Sequence, residues 1–199
     1  MSALEEIAIL RKSYPNLPIV IFTYLNPIAF SSKFSFDEFC AKASESGADA
    51  MLCLDITPEE DSRSKNDIKY SATLKKYRIG SVSLITPTTP QDRIPRLAKF
   101  ANSFIYYVSR EGVTGESKDF SANFSDKIKL IKGCSSLPVV VGFGISTPEH
   151  VKAAASTGVD GVVVGSAIVR RIEALANKDE TIEGIKNFVS KLKTGVKCG

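Results

Sequence analysis

Pro138-Val-Val-Val-Gly-Phe-Gly-Ile-Ser-Thr-Pro-Glu-His150 and, eleven residues on, Gly161-Val-Val-Val-Gly-Ser-Ala-Ile-Val169 are the two segments that decide the fold. Each is a run of β-branched residues that ends in glycine and opens onto a helix. Short Val/Ile-rich runs suit strands covered on both faces. Glycine lets backbone approach a ligand closely, and a helix N-terminus offers unpaired N–H groups and a partial positive charge. Two such ends side by side form a cup for phosphate. In a parallel α/β barrel, the loops after the last two strands commonly hold that group. The stretch therefore predicts a barrel-type phosphate site at Gly142–Gly144 and Gly165–Ser166.

The remainder of the chain fits one soluble-type domain over residues 1–199. Its 43% hydrophobic and 24% charged residues are ordinary for a globular core. The net charge of +4 comes from scattered Lys and Arg, without the basic and aromatic stripe that nucleic acid requires. Cys40, Cys53, Cys134 and Cys198 form no CxxC pair, so they are read as reduced packing residues rather than zinc ligands or a disulfide framework. No metal site is expected. No apolar run reaches the roughly 18 residues of a membrane span, and a cytoplasmic location is expected. The single histidine, His150, falls in the first turn of a predicted helix and is placed at the surface.

In chain order, helix is expected over residues 2–13, strand over 18–24 and helix over 34–46, closed by Gly47. Strand 50–54 follows, with Asp55 at its end. A polar turn, a helix over 68–77, strand 81–85, a loop at 86–90 and a short helix over 92–99 come next. Strand 103–108 leads to a glycine-bearing loop at 109–120 that suits a mobile lid. Helix is expected at 125–132, then the two opening segments with their helices, then an amphipathic helix over 181–193. The pattern is six β–α units behind a lone helix. Such alternation specifies a parallel sheet with right-handed crossovers. A closed (β/α)8 barrel has eight strands and takes about 250 residues. The expectation is thus a TIM-barrel fold in which the first two strands are missing from this chain.

Three motifs carry a specific resemblance: Tyr107-Val-Ser-Arg-Glu-Gly-Val-Thr-Gly115, Gly142-Phe-Gly-Ile-Ser-Thr-Pro-Glu-His-Val151 and Gly161-Val-Val-Val-Gly-Ser-Ala-Ile-Val169. In this order they resemble the tryptophan synthase alpha chain, with its Ser-Arg-x-Gly-Val-Thr-Gly loop and its Gly-Phe-Gly-Ile and Gly-Ser-Ala-Ile-Val turns. The resemblance extends over essentially the whole chain. It implies a lyase of tryptophan biosynthesis that cleaves indole-3-glycerol phosphate to indole and glyceraldehyde 3-phosphate. It also implies an α2β2 heterotetramer in which a beta chain holds pyridoxal phosphate and receives the indole; no cofactor is expected in this chain.

Carried over residue by residue, the resemblance puts Gly115, Gly144, Gly165 and Ser166 on the phosphate, and Phe22, Tyr24, Leu52 and Leu54 around the indole ring. Tyr106 sits beside the substrate and Thr114 positions a catalytic carboxylate. Asp55 is read as a supporting group at the catalytic face. The family's own acid and base lie on and just after its second strand, in a Pro-Phe-Ser-Asp-Pro context that this sequence does not contain. No catalytic residue is therefore assigned, and the chain alone is expected to be inactive. Two alternatives are a non-catalytic partner that activates a beta chain, and another phosphate-binding barrel acting as an isomerase or aldolase.

Overall fold

The computed structural model describes residues 2–29, 31, 34–62, 69–108, 118–142, 144–174 and 178–196. Its contacts group the chain into two compact units, Met1–Leu84 with Pro95–Phe104, and Ile85–Ile94 with Ile105–Gly199.

The first unit opens with α1 (Ala3–Ser13), whose start is fixed by a capping box: Ser2 and Glu5 bond each other's backbone N–H. Strand β1 (Val20–Thr23), helices α2 (Asn26–Ala29) and α3 (Phe36–Ser46), and strand β2 (Ala50–Cys53) follow. Then come α4 (Pro58–Ser62), α5 (Tyr70–Lys76), β3 (Gly80–Ile85) and α6 (Ile94–Phe100). Ser35 and Glu38 repeat the capping box at α3, and Gly47 closes that helix in the left-handed conformation.

β1, β2 and β3 are parallel neighbours, with Phe22 opposite Leu52 and Ala50 opposite Gly80. Side chains alternate across a strand, and here one face packs on helices. Met51 and Cys53 join Phe36, Cys40, Ala43, Tyr70 and Leu74 in a buried cluster. The Tyr70 ring stacks on Phe36 at 5.7 Å and on Phe100 at 6.0 Å. Burial pushes the Cys40 and Cys53 thiols up to about 12. A thiol held protonated is a poor nucleophile and metal ligand, which agrees with a packing role.

The second unit holds a 3-10 turn (Gln91–Arg93), β4 (Phe104–Val108), α7 (Lys118–Cys134), β5 (Val139–Gly142), α8 (Pro148–Ala155), β6 (Gly161–Val163), α9 (Ser166–Ala174) and α10 (Lys178–Lys193). β4, β5 and β6 are parallel neighbours, with Tyr106 opposite Val140 and Gly142 opposite Val163. Ile105, Tyr107, Val139 and Val141 are buried. The Tyr107 ring meets Phe124 of α7 at 5.5 Å.

Several elements differ from expectation. α7 begins at Lys118, seven residues before the predicted start, so Lys118–Phe120 are helix and not loop. Phe124, outside the predicted span, lays its ring against Tyr107 of β4. Short helices α2 and α4 stand where loop or turn was expected. β6 is not covered on both faces: Val163 is 38% exposed. Gly161 and Val162 are partly buried, and the three residues pair with β5 alone among the described strands.

A recurrent clasp ties the strand starts. The residue before or near β2, β4 and β6 is Asp49, Asn102 and Asp160. Each side chain accepts an N–H at the start of the preceding strand: Ile19 at 2.7 Å, Ser81 at 2.6 Å and Val139 at 2.7 Å. Each residue also donates its own N–H to the carbonyl of that same partner, at 2.9, 3.1 and 2.8 Å. A cation completes two of them, Arg11 on Asp49 and Lys132 on Asp160. These clasps hold register at the N-terminal ends of the strands and leave the C-terminal ends to other uses.

Candidate functional site

In the second unit, the C-terminal ends of β5 and β6 lie side by side, as the opening segments predicted. Gly142 ends β5 in a crowded spot. A Cβ there would collide with the Tyr106 hydroxyl and come within 2.9 Å of the Val163 Cβ. The glycine thus lets Tyr106 lie across the strand end, and burial pushes that hydroxyl's pKa up. Gly144 follows with φ +71, a left-handed conformation open to glycine and strained for most side chains. The turn then buries Ile145 (3% exposed) and enters α8 through Thr147, whose side chain caps the His150 N–H.

At β6, the Gly165 carbonyl accepts the Ile168 and Val169 N–H groups at 2.8 and 3.2 Å, so Gly165 caps α9 and Ser166 is its first residue. Gly165 has open space on its Cβ side, and both Gly165 and Ser166 are exposed or partly so. Two helix starts on neighbouring parallel strands supply directed N–H groups and aligned dipoles, which is what an anionic oxygen cluster needs. Gly144, Gly165 and Ser166 are thereby brought to the same end of one sheet. Gly115 and Thr114 lie outside the described residues.

In the first unit, Phe22 and Leu52 are register partners on the face opposite the helix-packed cluster. Leu52 is 4% exposed, whereas Phe22 is 63% and Tyr24 54% exposed. Leu54 follows β2, its N–H bonded to the Thr23 carbonyl at 3.1 Å. The four residues read as an indole pocket therefore share one stretch of the β1–β2 pair, with the two aromatic rings uncovered.

Asp55 has a different occupation. Its carboxylate accepts the Leu25 N–H on one oxygen and the Asn26 N–H at 3.1 Å on the other. It fixes the loop between β1 and α2. Nothing in the local sequence announced this, because the partners are about 30 residues away. An apolar cavity of about 580 Å³ lies between α1 and α3, lined by Leu4, Ile7, Ile21, Phe34, Phe39 and Lys42. It includes none of the predicted site residues. Among the described residues no cluster of His, Cys, Asp or Glu could hold a metal ion, and no helix is long and apolar enough to cross a membrane.

A sequence model of the family described as tryptophan synthase alpha chain matches residues 1–197. The chain belongs to the tryptophan synthase alpha chain family. A relative of that name from Opitutus terrae is 39% identical over 92% of this chain and 65% of its own length. One from Solibacter usitatus is 36% identical over 98% and 69%. Among solved structures, a mutant tryptophan synthase alpha-subunit from Pyrococcus furiosus superposes with a TM-score of 0.80 at 30% identity, over 96% of this chain and 72% of that one. A structure from Aquifex aeolicus gives 0.77 at 32% identity, over 96% and 67%. The chain thus spans about two thirds of the length of the relatives it matches. The fold expected from the sequence, a TIM-barrel family member with about six β–α units, agrees with these superpositions.

Proposed function

We propose that this chain serves tryptophan biosynthesis as an alpha-type lyase component that binds indole-3-glycerol phosphate. The observation that carries the reading is the pair of glycine turns on adjacent strands β5 and β6, one left-handed at Gly144 and one capping α9 at Gly165. They offer N–H donors to a phosphate, with Gly115 and Ser166 completing the set. Phe22, Tyr24, Leu52 and Leu54 are proposed for the indole ring, where apolar surface excludes water, Tyr106 for a place beside the substrate, and Thr114 for positioning a catalytic carboxylate.

The reaction is a retro-aldol cleavage. A base takes the proton of the glycerol hydroxyl, whose carbon becomes the aldehyde. The C–C bond to the ring breaks, and an acid delivers a proton to the ring carbon that keeps the electron pair. Phosphate binding supplies orientation at a distance from that bond. Asp55, the carboxylate nearest in the chain to the pocket residues, is bonded to two backbone N–H groups. The family's acid–base motif is not in this sequence. The 199 residues alone are therefore proposed to bind substrate without turning it over at a useful rate. The partner is a beta chain carrying pyridoxal phosphate, in an α2β2 assembly, in the cytoplasm.

The committed state of Asp55 favours one second reading, a non-catalytic partner that activates a beta chain. Two assays separate the readings. Release of glyceraldehyde 3-phosphate from indole-3-glycerol phosphate at rates usual for complete enzymes would overturn the claim of inactivity. Titration into a beta chain, read as tryptophan formed from indole and as co-elution, is expected to show a rate rise for an activating partner; no change and no co-elution would remove that reading. Binding of indole-3-glycerol phosphate no tighter than of glycerol 3-phosphate would instead favour another phosphate-binding barrel.

A further inference from the structure

His150 is the only histidine in the chain, and its half-buried ring is turned back onto the turn that follows Gly144. The Ser146 N–H donates to His150 Nδ1 at 3.3 Å, and the Ser146 hydroxyl lies 3.4 Å from the same nitrogen. In return, the His150 N–H is capped by the Thr147 hydroxyl at 3.3 Å. The result resembles a capping box, in which a side chain at the third helical position reaches back to a backbone donor before the helix. The two other boxes among the described residues use glutamate there, Glu5 and Glu38. At α8 the acceptor is an imidazole and its donor lies one residue further back.

The difference matters at an anion site. A glutamate would place a second negative charge beside the turn, whereas an imidazole accepts without one. Glu149, the adjacent acid, is exposed, and its pKa is held down first by its own backbone N–H and then by Thr147. With Ile145 buried and Ser146 held by the ring, the backbone between Gly144 and α8 is pinned at both ends. We propose that His150 is a positioning residue for the phosphate turn, supplying an uncharged acceptor that fixes Gly144–Ser146 without repelling the bound anion. The inference rests on reading this turn as a phosphate site.

Accepting at Nδ1 requires the neutral ring to carry its proton on Nε2. Nitrogen-15 NMR of the full chain at pH 8 is expected to show that tautomer, with no ambiguity because there is one histidine. Calorimetric titration with glycerol 3-phosphate then compares four proteins. His150→Asn, whose Oδ1 stands where Nδ1 does, is expected to bind like the parent. His150→Ala should bind about threefold to tenfold more weakly, the scale of one lost hydrogen bond. His150→Glu keeps an acceptor but adds charge, and about tenfold weaker binding that recovers with added salt is expected. Equal affinity of all four, or an Nδ1–H tautomer, overturns the positioning role, and the Asn and Glu forms decide the matter even where the Ala form does not fold. A parent protein that fails to bind glycerol 3-phosphate while showing the Nε2–H tautomer removes the phosphate reading itself and leaves His150 as a helix cap.

Discussion

The strands of the two units begin alike and end differently. At their N-terminal ends, Asp49 and Asp160 make the same clasp: a carboxylate on the N–H of the preceding strand, a return bond from their own N–H, and a cation from the helix before. At their C-terminal ends, the first unit presents the exposed rings of Phe22 and Tyr24 and a carboxylate bonded to backbone, while the second presents glycine turns and helix starts. Sameness at one end and divergence at the other is how a (β/α) architecture separates stability from function. The clasp solves a register problem every strand pair shares. Under the proposed function, the tops of the first unit's strands would take an apolar ring and those of the second a charged phosphate, so each would carry the chemistry of its own part.

The divergent ends should therefore show the larger and more selective effects. Gly142→Val forces side-chain atoms into Tyr106 and Val163. A loss of about 1–3 kcal/mol in urea unfolding is expected, with glycerol 3-phosphate binding abolished. A variant of unchanged stability would mean that Tyr106 does not lie across β5.

Asp55→Ala leaves the Leu25 and Asn26 N–H groups without their acceptor. About 1–2 kcal/mol should be lost, while Asp55→Asn keeps one acceptor oxygen for one of the two N–H groups and loses less. If Asp55→Asn instead abolished a measurable lyase rate without altering stability, Asp55 would be a catalytic group and the contrast between the units would fail.

The clasps test the sameness. Asp49→Ala is expected to cost more than Asp160→Ala, both near 1 kcal/mol at these partly exposed sites. The Arg11 fork spans Asp49 and the carbonyls of Gly47, Pro15 and Leu17, whereas Lys132 is a single point contact. Burial pushes the Asp160 carboxyl up, but the Val139 N–H and Lys132 outweigh it and hold the group below its usual value. Its contribution is therefore present above about pH 4 and is lost as pH falls through the lower folded value. Urea midpoints at pH 7 and pH 3 should lie closer together in Asp160→Asn than in the parent; an unchanged gap would remove Asp160 from the acid response.

The smallest effect on stability is expected from Phe22→Ala, within about 0.5 kcal/mol because the ring is largely exposed. That change should nonetheless weaken indole-3-glycerol phosphate binding and leave glycerol 3-phosphate untouched. Equal weakening of both ligands would show that β1 does not meet the indole ring.

The sequence by itself determined the alternation of strands and helices, because apolar runs, glycine stops and Ser-x-x-Glu caps act within a few residues of one another. It placed Gly144, Gly165 and Ser166 at strand ends for the same local reason. It did not show the clasps, since Asp49, Asn102 and Asp160 find their partners 21 to 30 residues away. Nor did it show that Asp55 is bound to backbone, that α7 begins as early as Lys118, or that Val163 of β6 stays exposed. Those outcomes depend on which strand lies beside which. The two-residue period of a strand fixes which side chains share a face, but only packing decides whether that face meets helices, a ligand or water. His150 carries the same lesson: the chain placed it at a helix start, and the fold of the preceding turn gave its ring something to hold.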